Sequence, residues 1–415
     1  MNAVRTQTGL RMGGAENASP AAAPELEALA AQVDHYDPLF LANRIEMFRL
    51  MHRQDRPIRH SDNHGGFWFV TGYAEAKEIQ RRAEDFSNRI KVVPQRPVAD
   101  LIPSALNPPE HRPVKTALAS LFLPRAILGM RRALAESADR LFDECVAKGA
   151  FDIVEDLMFP LMAEFTMVHM LGLDPAKALE YAGVVHAQSR PVPDPEHARK
   201  VQENIARLGE EFARVYAERR FDPDCVMARI VDLDVDGRRF TIEELVKIAF
   251  NLVVGGFGTT ATFTASMFVF LGRNPDLRRQ IVEDRSLIPS AIDEMLRLLT
   301  PVQTFARRVE RDTEVGGVTM REGDQLLMGY AAANLDPRVF DEPETVDFRR
   351  SPNVMMSFGI GPHRCLGEHV ARAILVEVLN RMADRMPGYT LDEAGVVPHG
   401  LTSSMWGYAA VKVRV

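Results

Sequence analysis

One glycine-rich stretch near the C-terminus holds the residues with the clearest chemical potential. Residues 358–367 have the pattern F-G-x-G-x-H-x-C-x-G, and Cys365 lies just before a predicted helix over residues 368–382. Free backbone N–H groups and the positive end of a helix dipole both favour a negatively charged sulfur. Glycines remove side chains where the backbone must approach a flat ligand closely. The pattern therefore predicts a thiolate at Cys365 that can serve as the axial ligand of a haem iron.

Two other interpretations exist for a lone cysteine. The first is a buried, unreactive side chain, the commonest fate of a free cysteine. The second is zinc binding, which is disfavoured because His363 and Cys365 lie two residues apart and no second Cys/His pair supplies further ligands. Every fixed position of the stretch matches the haem-binding signature of the cytochrome P450 family, which this sequence resembles. The resemblance extends from residue 66 to the C-terminus and is strongest to bacterial camphor-hydroxylating members.

This resemblance implies a mainly α-helical fold with a small β part. Haem b (iron protoporphyrin IX) would lie between a long central helix and the cysteine loop. We expect residues 1–25 to form a flexible tail and residues 26–415 to form a single haem-thiolate monooxygenase domain. Matching by motif makes Cys365 the ligand of the iron. The other signature residues expected to contact the cofactor are Phe358, Gly359, His363 and Gly367. The expected partners of the haem propionates are His111, Lys115 and Arg307. Lys115 replaces the arginine that is usual in the family, so bidentate pairing is lost there.

A long uncharged segment, residues 248–272, has the length to cross a membrane. Its centre is polar and rich in small residues, which gives no advantage against lipid. The helix is predicted over residues 241–271, starting at the capping box Thr241-x-x-Glu244. We therefore predict a buried helix through the middle of the protein.

The family resemblance gives this helix a role in oxygen chemistry. Gly255 and Gly256 would leave room for dioxygen, and Thr259 would offer a hydroxyl for proton delivery. The carboxylate that family members carry before the threonine is replaced by Gly258. A positioned general acid contributes roughly 10²–10⁴-fold, so its loss should matter unless water held by Thr260 or Asn251 substitutes. A stripe of small residues also suits close packing between helices, and that alternative stays open.

Glu294 and Arg297 are three residues apart on a predicted helix, so their side chains share one face. Such a pair is usually a solvated surface ion pair. Its position before the cysteine resembles the buried Glu-x-x-Arg motif of the family, with Arg350 as the third partner. We expect these three residues to support the cysteine loop.

Charge and cysteine content restrict the class of protein. The 415 residues carry a net charge of −7, which does not suggest nucleic acid or an anionic membrane as partner. Three cysteines, far apart and odd in number, fit a reducing cytoplasm. We expect a cytoplasmic monomer.

Because the sequence has no segment for a flavin or nicotinamide domain, the resemblance implies electrons from a [2Fe–2S] ferredoxin and its NADH-dependent reductase. A docking patch of Arg112, Lys115 and Arg364 is a hypothesis, and ordinary solvated charge is the alternative.

Periodicity and turn residues predict the remaining elements. A hairpin is predicted from residues 58–60 and 67–70. Further helices are predicted over residues 74–82, 114–122, 126–148, 157–171, 196–219 and 290–299, and short strands around 314–319 and 325–328. Proline-rich loops at 88–103 and 190–195 are candidate lids over the substrate pocket.

The substrate prediction follows from one departure from the camphor-hydroxylating members. Those enzymes hold the substrate ketone with a tyrosine, and Ala99 occupies that position here. Loss of the phenol removes a hydrogen bond and adds volume, which favours a bulkier cyclic terpenoid or norisoprenoid, such as an ionone, over camphor. The predicted pocket walls are Val92, Ala99, Leu101, Asn251, Val254, Gly255, Ser404 and Met405. The expected reaction is hydroxylation with O₂; the alternatives are a peroxide-using peroxygenase and a non-catalytic haem-binding sensor.

Overall fold

The computed structural model describes residues 23–95, 100–189, 195–399 and 404–415. The helices in these ranges are α1 (Ala23–Ala31), α2 (Pro38–Ala42), α3 (Arg44–Arg53), α4 (Tyr73–Arg81), α5 (His111–Ala119), α6 (Leu128–Ala147), α7 (Phe159–Ala163), α8 (Ala178–Ser189), α9 (Pro195–Ala217), α10 (Val226–Val231), α11 (Ile242–Arg273), α12 (Pro275–Glu283), α13 (Ile288–Leu299), α14 (Tyr330–Ala333) and α15 (Glu368–Arg385). The strands are β1 (Ile58–Ser61), β2 (Phe67–Val70), β3 (Phe86–Ser87), β4 (Ala150–Asp152), β5 (Thr304–Val309), β6 (Thr313–Val315), β7 (Val318–Met320), β8 (Gln325–Gly329), β9 (Thr390–Pro398) and β10 (Tyr408–Arg414). The predicted mainly helical fold with a small β part is confirmed.

The central helix α11 begins where the sequence predicts. The Thr241 hydroxyl accepts a 3.2 Å hydrogen bond from the Glu244 N–H, and the Glu244 carboxylate accepts a 2.8 Å bond from the Thr241 N–H. Its most apolar 18-residue window has a mean hydropathy of 1.4, and 72% of that window is buried inside the protein. Length and composition alone would allow a membrane span, but these apolar side chains are covered by other helices and strands of the same chain. The prediction of a buried helix is confirmed.

The largest sheet has five strands in the order β1-β2-β8-β5-β3. The predicted hairpin is confirmed, since β1 and β2 pair in antiparallel register from Ile58–Val70 to Ser61–Phe67. Short strands do occur around residues 314–319, but they form a separate hairpin: Gly316 and Gly317 have φ values of +56° and +76° and turn the chain between β6 and β7. Glycine accepts this left-handed conformation without a steric penalty.

Most predicted helices occur within a few residues of their expected ends, with two differences. The predicted helix over 157–171 is α7 flanked by π-helical segments, Ile153–Met158 and Glu164–Met170. Helix α1 begins at Ala23, inside the predicted tail, because Leu26 and Ala30 are buried in the core; residues 1–22 lie outside the described residues. The second candidate lid, 190–195, also lies almost entirely outside them.

Candidate active site

A cavity of about 320 Å³ lies between α11 and the loop that precedes α15. Cys365 lines one side of it, together with Phe358, Gly359 and Gly367. The residues of α11 that line the cavity are Asn251, Leu252, Gly255, Gly256, Thr259, Thr260 and Phe263. Two segments about a hundred residues apart in the sequence thus face each other across one space.

Backbone hydrogen bonds shape the cysteine loop. The Cys365 N–H donates to the Phe358 carbonyl at 2.7 Å, and the Gly359 N–H donates to the Met356 carbonyl at 2.8 Å. Gly361 has a φ of +73°, and a Cβ there would lie 2.7 Å from the carbonyl oxygen of Gln80. A side chain at this position would force the loop away from α4, so glycine is required here.

In the protein chain alone, the pKa of the Cys365 thiol is raised. Burial is the main cause; a hydrogen bond from the Gly367 N–H and the nearby Lys115 ammonium lower the pKa but do not outweigh it. The surface that Cys365 leaves accessible opens into the cavity rather than only to bulk water. Since a coordinating metal deprotonates a thiol outright, the thiolate at this position would depend on iron rather than on the helix dipole.

A buried carboxylate beneath the cysteine loop binds two arginines. Glu294 and Arg297 have no exposed side-chain area, and their two hydrogen bonds measure 2.8 and 2.9 Å. The Arg350 Nε atom donates to the same carboxylate at 3.1 Å, which places it as the third partner that the sequence predicts. The neighbouring Arg349 instead approaches Asp284 at 3.6 Å and is 64% exposed.

Asn334 and Ser357 connect this cluster to the cysteine loop, and sequence reasoning missed both. The Asn334 carbonyl accepts from Arg297 at 3.0 Å, while its side chain accepts from the Met356 N–H at 2.6 Å and donates to Ser357 Oγ at 2.9 Å. Asn334 follows helix α14, and no local pattern of residues marks it as a partner of the loop. Its role depends on the fold bringing α13 and α14 together.

One wall of the cavity is strongly cationic. Lys91, Lys115 and Arg307 line it, and none of the three forms an ion pair with Asp or Glu among the described residues. Burial and the nearby Arg307 guanidinium lower the pKa of Lys91 to about 7. Lys91 Nζ donates to the Ser104 carbonyl at 2.6 Å, and Lys115 Nζ donates to the Arg364 carbonyl at 2.7 Å. Sequence reasoning missed Lys91; its only local signal is a charge beside the apolar residues Ile90, Val92 and Val93.

Two histidines complete this wall. The rings of His111 and His363 lie 4.0 Å apart between centroids. Burial lowers the pKa of His111 to about 4 and that of His363 to about 2, with the neighbouring cations adding to both shifts. Nε2 of His363 is buried and has no hydrogen-bond partner among the described residues.

These residues fit haem. The described cavity lining contains no Asp or Glu, so its unpaired cations and the unpartnered His363 nitrogen suit the two propionate carboxylates. A Cβ added at Gly255, Gly256 or Gly367 would meet no atom within 4 Å, which leaves space for a flat macrocycle. Cys365 supplies the soft ligand that an iron porphyrin accepts. Three of the remaining lining residues near the cysteine, Leu366, Val370 and Ala371, are apolar and suit the porphyrin face.

Several predicted site residues lie outside the cavity lining. Val254 is 47% exposed, because one residue along a helix rotates a side chain about 100° away from the Gly255 side. Gly258 is displaced in the same way from Thr259 and does not line the cavity. The same holds for four other predicted wall residues: Val92, Leu101, Ser404 and Met405. Ala99 lies outside the described residues.

Comparisons with known proteins agree with this geometry. The cytochrome P450 family model matches residues 196–383. Over 359 residues the chain is 30% identical to the steroid C26-monooxygenase of Mycolicibacterium smegmatis, covering 81% of this chain and 82% of that protein. It is 29% identical over 339 residues to the biotin biosynthesis cytochrome P450 of Bacillus subtilis, covering 78% and 84%. The crystal structure of CYP109E1 from Bacillus megaterium with testosterone matches 90% of this chain and 99% of its own, with a TM-score of 0.80 and 23% identity.

A cysteine loop that faces a long buried helix across a cavity with a cationic wall defines a haem-thiolate protein. The chain belongs to the cytochrome P450 family and is a monooxygenase of the bacterial type. Its cofactor is the protoporphyrin IX haem of that family. Hydrophobic substrates, O₂ and a redox partner are general requirements of such enzymes.

Proposed function

We propose that this monooxygenase hydroxylates a small apolar cyclic compound, a terpenoid or norisoprenoid such as an ionone, with electrons from a [2Fe–2S] ferredoxin and its NADH-dependent reductase. The observation that carries the proposal is the cavity in which Cys365 faces Gly255, Gly256 and Thr259. Haem bound there supplies O₂ activation and the insertion of one oxygen atom into a C–H bond. We include a cytoplasmic location and a monomeric state in the proposal.

The chain's own residues have separate tasks in this reaction. Cys365 would hold the iron, while Lys91, Lys115 and Arg307 would neutralise the propionates. The hydroxyl of Thr259 donates to the Gly255 carbonyl at 2.7 Å, so its oxygen keeps free lone pairs toward the cavity. By rotating away from that carbonyl, the Thr259 hydroxyl could point into the cavity, where it would hold a proton and exchange it with water. The apolar lining excludes bulk water from the reaction.

The substrate class is supported by the composition of the lining. Phe165, Met170, Val302 and Phe305 are among its apolar members. A relative named for steroid C26 oxidation also favours a ring compound larger than camphor. Apolar pockets discriminate weakly by shape alone, so we expect several related ring compounds to bind.

The electron donor is supported by charge around the cysteine loop. Arg112 is exposed, and the Arg364 side chain is 59% exposed although it pairs with Glu368 at 2.7 Å. Together with Lys115 they form a cationic docking patch that suits an acidic ferredoxin. Electron transfer should therefore slow as ionic strength rises.

Two measurements test the proposal. The dithionite-reduced protein with carbon monoxide should show the strongly red-shifted Soret band of thiolate-ligated haem. Ferredoxin, reductase and NADH should then convert β-ionone to a hydroxylated product. Absence of that band in folded protein, or NADH oxidation without product for all ring compounds tried, would contradict it.

One observation favours a second candidate function. Gly258 stands where the family carries its acid, and weakened proton delivery fits an enzyme that uses hydrogen peroxide directly. Thr259 argues against this, because a peroxide-driven reaction has less need for it. Product formation with peroxide alone, at a rate above that with ferredoxin and NADH, would favour the peroxygenase.

A further inference from the structure

The side-chain amide of Asn251 is the feature of this cavity that the mechanism leaves unused. Asn251 lies on α11, one turn before Gly255, and lines the cavity. Within the described residues its amide makes no hydrogen bond to protein, and the residue is neither fully buried nor fully exposed. An amide offers two donor hydrogens and an acceptor oxygen, and a ligand that removes water from them without replacing those hydrogen bonds incurs a free-energy cost.

Three other asparagines, one within a helix and two directly after one, bond back to the backbone, whereas the exposed Asn204 of α9 does not do so within the described part of the chain. The amide nitrogens of Asn43, Asn274 and Asn380 each donate to the carbonyl four residues earlier, at 2.8 or 2.9 Å. On α11 itself, Thr259 and Ser266 bond back in the same way, at 2.7 and 2.9 Å. Asn251 has the same option at the Lys247 carbonyl and does not use it. Its hydrogen-bonding capacity is therefore available on the cavity side of the helix.

We propose that Asn251 is a specificity-determining residue whose Nδ2 atom donates a hydrogen bond to a ketone oxygen of the substrate. A half-buried polar group that lines an apolar pocket selects ligands that complete its hydrogen bonds when they displace water. Asn251 thus takes over the orienting task that a phenol has in the camphor-hydroxylating members. This inference rests on the proposed function and narrows its substrate class from apolar ring compounds to ring compounds that carry one neutral carbonyl oxygen.

The test compares matched ligands on matched variants of the haem-loaded enzyme. The ligands are β-ionone, β-ionol and the hydrocarbon in which a methylene replaces the carbonyl. The variants are Asn251→Leu, Asn251→Asp and, as a control for lost apolar contact, Leu252→Val, since Leu252 lines the same wall. Binding constants come from the spectral change on titration and from calorimetry, and thermal unfolding with the carbon monoxide spectrum confirms that each variant is folded and loaded.

We expect wild-type protein to bind β-ionone about 5- to 10-fold more tightly than the hydrocarbon, the range of one neutral hydrogen bond. Asn251→Leu should remove that preference, while Leu252→Val should weaken both ligands equally. In Asn251→Asp, an ionised carboxylate can only accept hydrogen bonds. This variant should therefore bind β-ionone weakly, because a ketone has no hydrogen to donate, and should still bind the alcohol β-ionol. Equal affinity of wild-type protein for ketone and hydrocarbon, or an unchanged preference in Asn251→Leu, would overturn the inference. A normal carbon monoxide band with either result would leave the haem-thiolate assignment intact, whereas loss of that band in wild-type protein would count against the proposed function.

Discussion

The guanidinium of Arg297 donates a 3.0 Å hydrogen bond to the backbone carbonyl of Asn334, a residue 37 positions further along the chain. The side chain of Asn334 in turn binds the Met356 N–H and the Ser357 hydroxyl, immediately before the cysteine loop. A fully buried ion pair is thus coupled through one asparagine to the backbone that carries Cys365. Buried pairs of this kind rarely add net stability, but removal of one partner leaves an uncompensated charge.

This coupling predicts unequal effects for two adjacent arginines. Arg350→Ala should lower the free energy of unfolding by about 3 kcal/mol, because it strips one cation from the buried Glu294. Arg349→Ala is the matched control; its pair with Asp284 is exposed, so the loss should stay below about 1 kcal/mol. Urea unfolding of both variants measures the difference. Equal losses would show that the Glu294 cluster does not depend on Arg350.

Gly258 is the position at which an added acid should improve proton delivery. A Cβ there meets no atom within 4 Å, so Gly258→Asp can be accommodated. We expect the variant to turn over faster and to release less hydrogen peroxide per NADH consumed, by up to about 10²-fold in the proton-transfer step. Gly258→Ala is the control for helix propensity, since it stabilises the helix by up to about 1 kcal/mol without an acid. The same gain in both variants would assign the effect to helix stability rather than to proton delivery.

Lys91 should contribute to retention of the cofactor. Its ammonium group is buried beside Arg307 without an ion-pair partner among the described residues, so propionate carboxylates would favour its charged form. Lys91→Gln should release haem to an apoprotein acceptor several-fold faster than wild type, in line with the loss of one charge-assisted hydrogen bond. Lys247→Gln is the control, because Lys247 already pairs with Asp100 and Glu243 outside the cavity. Unchanged release from the Lys91 variant would remove it from the set of propionate partners.

His35 should make the fold sensitive to mild acid. Its ring has no exposed area and packs 4.2 Å from Tyr36 and 5.4 Å from Phe67, between centroids. Burial, together with the positive charge of nearby His64, lowers its pKa from 6.5 to about 4. The unfolded chain therefore binds this proton at a higher pH than the folded protein does. The free energy of unfolding should therefore decrease as pH falls from about 6.5 to about 4. Below about pH 4, His35 should cause no further decrease.

Substitution of the ring nitrogens tests the pH effect. Between pH 7 and pH 4, the free energy of unfolding of His35→Phe should fall by up to about 3 kcal/mol less than that of wild type, because the pKa of His35 is lowered from 6.5 to about 4. Urea unfolding at the two pH values gives the comparison. Parallel losses in both proteins would show that other groups govern the acid sensitivity.

Several features of this protein follow from local sequence. The capping box at Thr241 and Glu244 involves residues three apart, and the cysteine loop is closed by the bond between Cys365 and Phe358, seven residues apart. Interactions over such short separations depend little on the rest of the fold, so the sequence predicts them well. The family resemblance rests on the same kind of local pattern.

Tertiary structure decided the remaining parts of the site. Gln80, Lys91 and Asn334 meet the cysteine loop or the cavity across long stretches of chain, and no spacing in the sequence marks them as partners. Helical rotation likewise separated Val254 and Gly258, which lie outside the lining, from Gly255 and Thr259, which belong to it. The raised pKa of Cys365 also has a tertiary cause, because desolvation by the surrounding elements outweighs the local N–H groups and the nearby cation that favour a thiolate. The sequence by itself determined which groups can do chemistry; packing between distant elements decided which of them face the cavity and in what charge state, since burial and electrostatic fields are properties of the assembled fold.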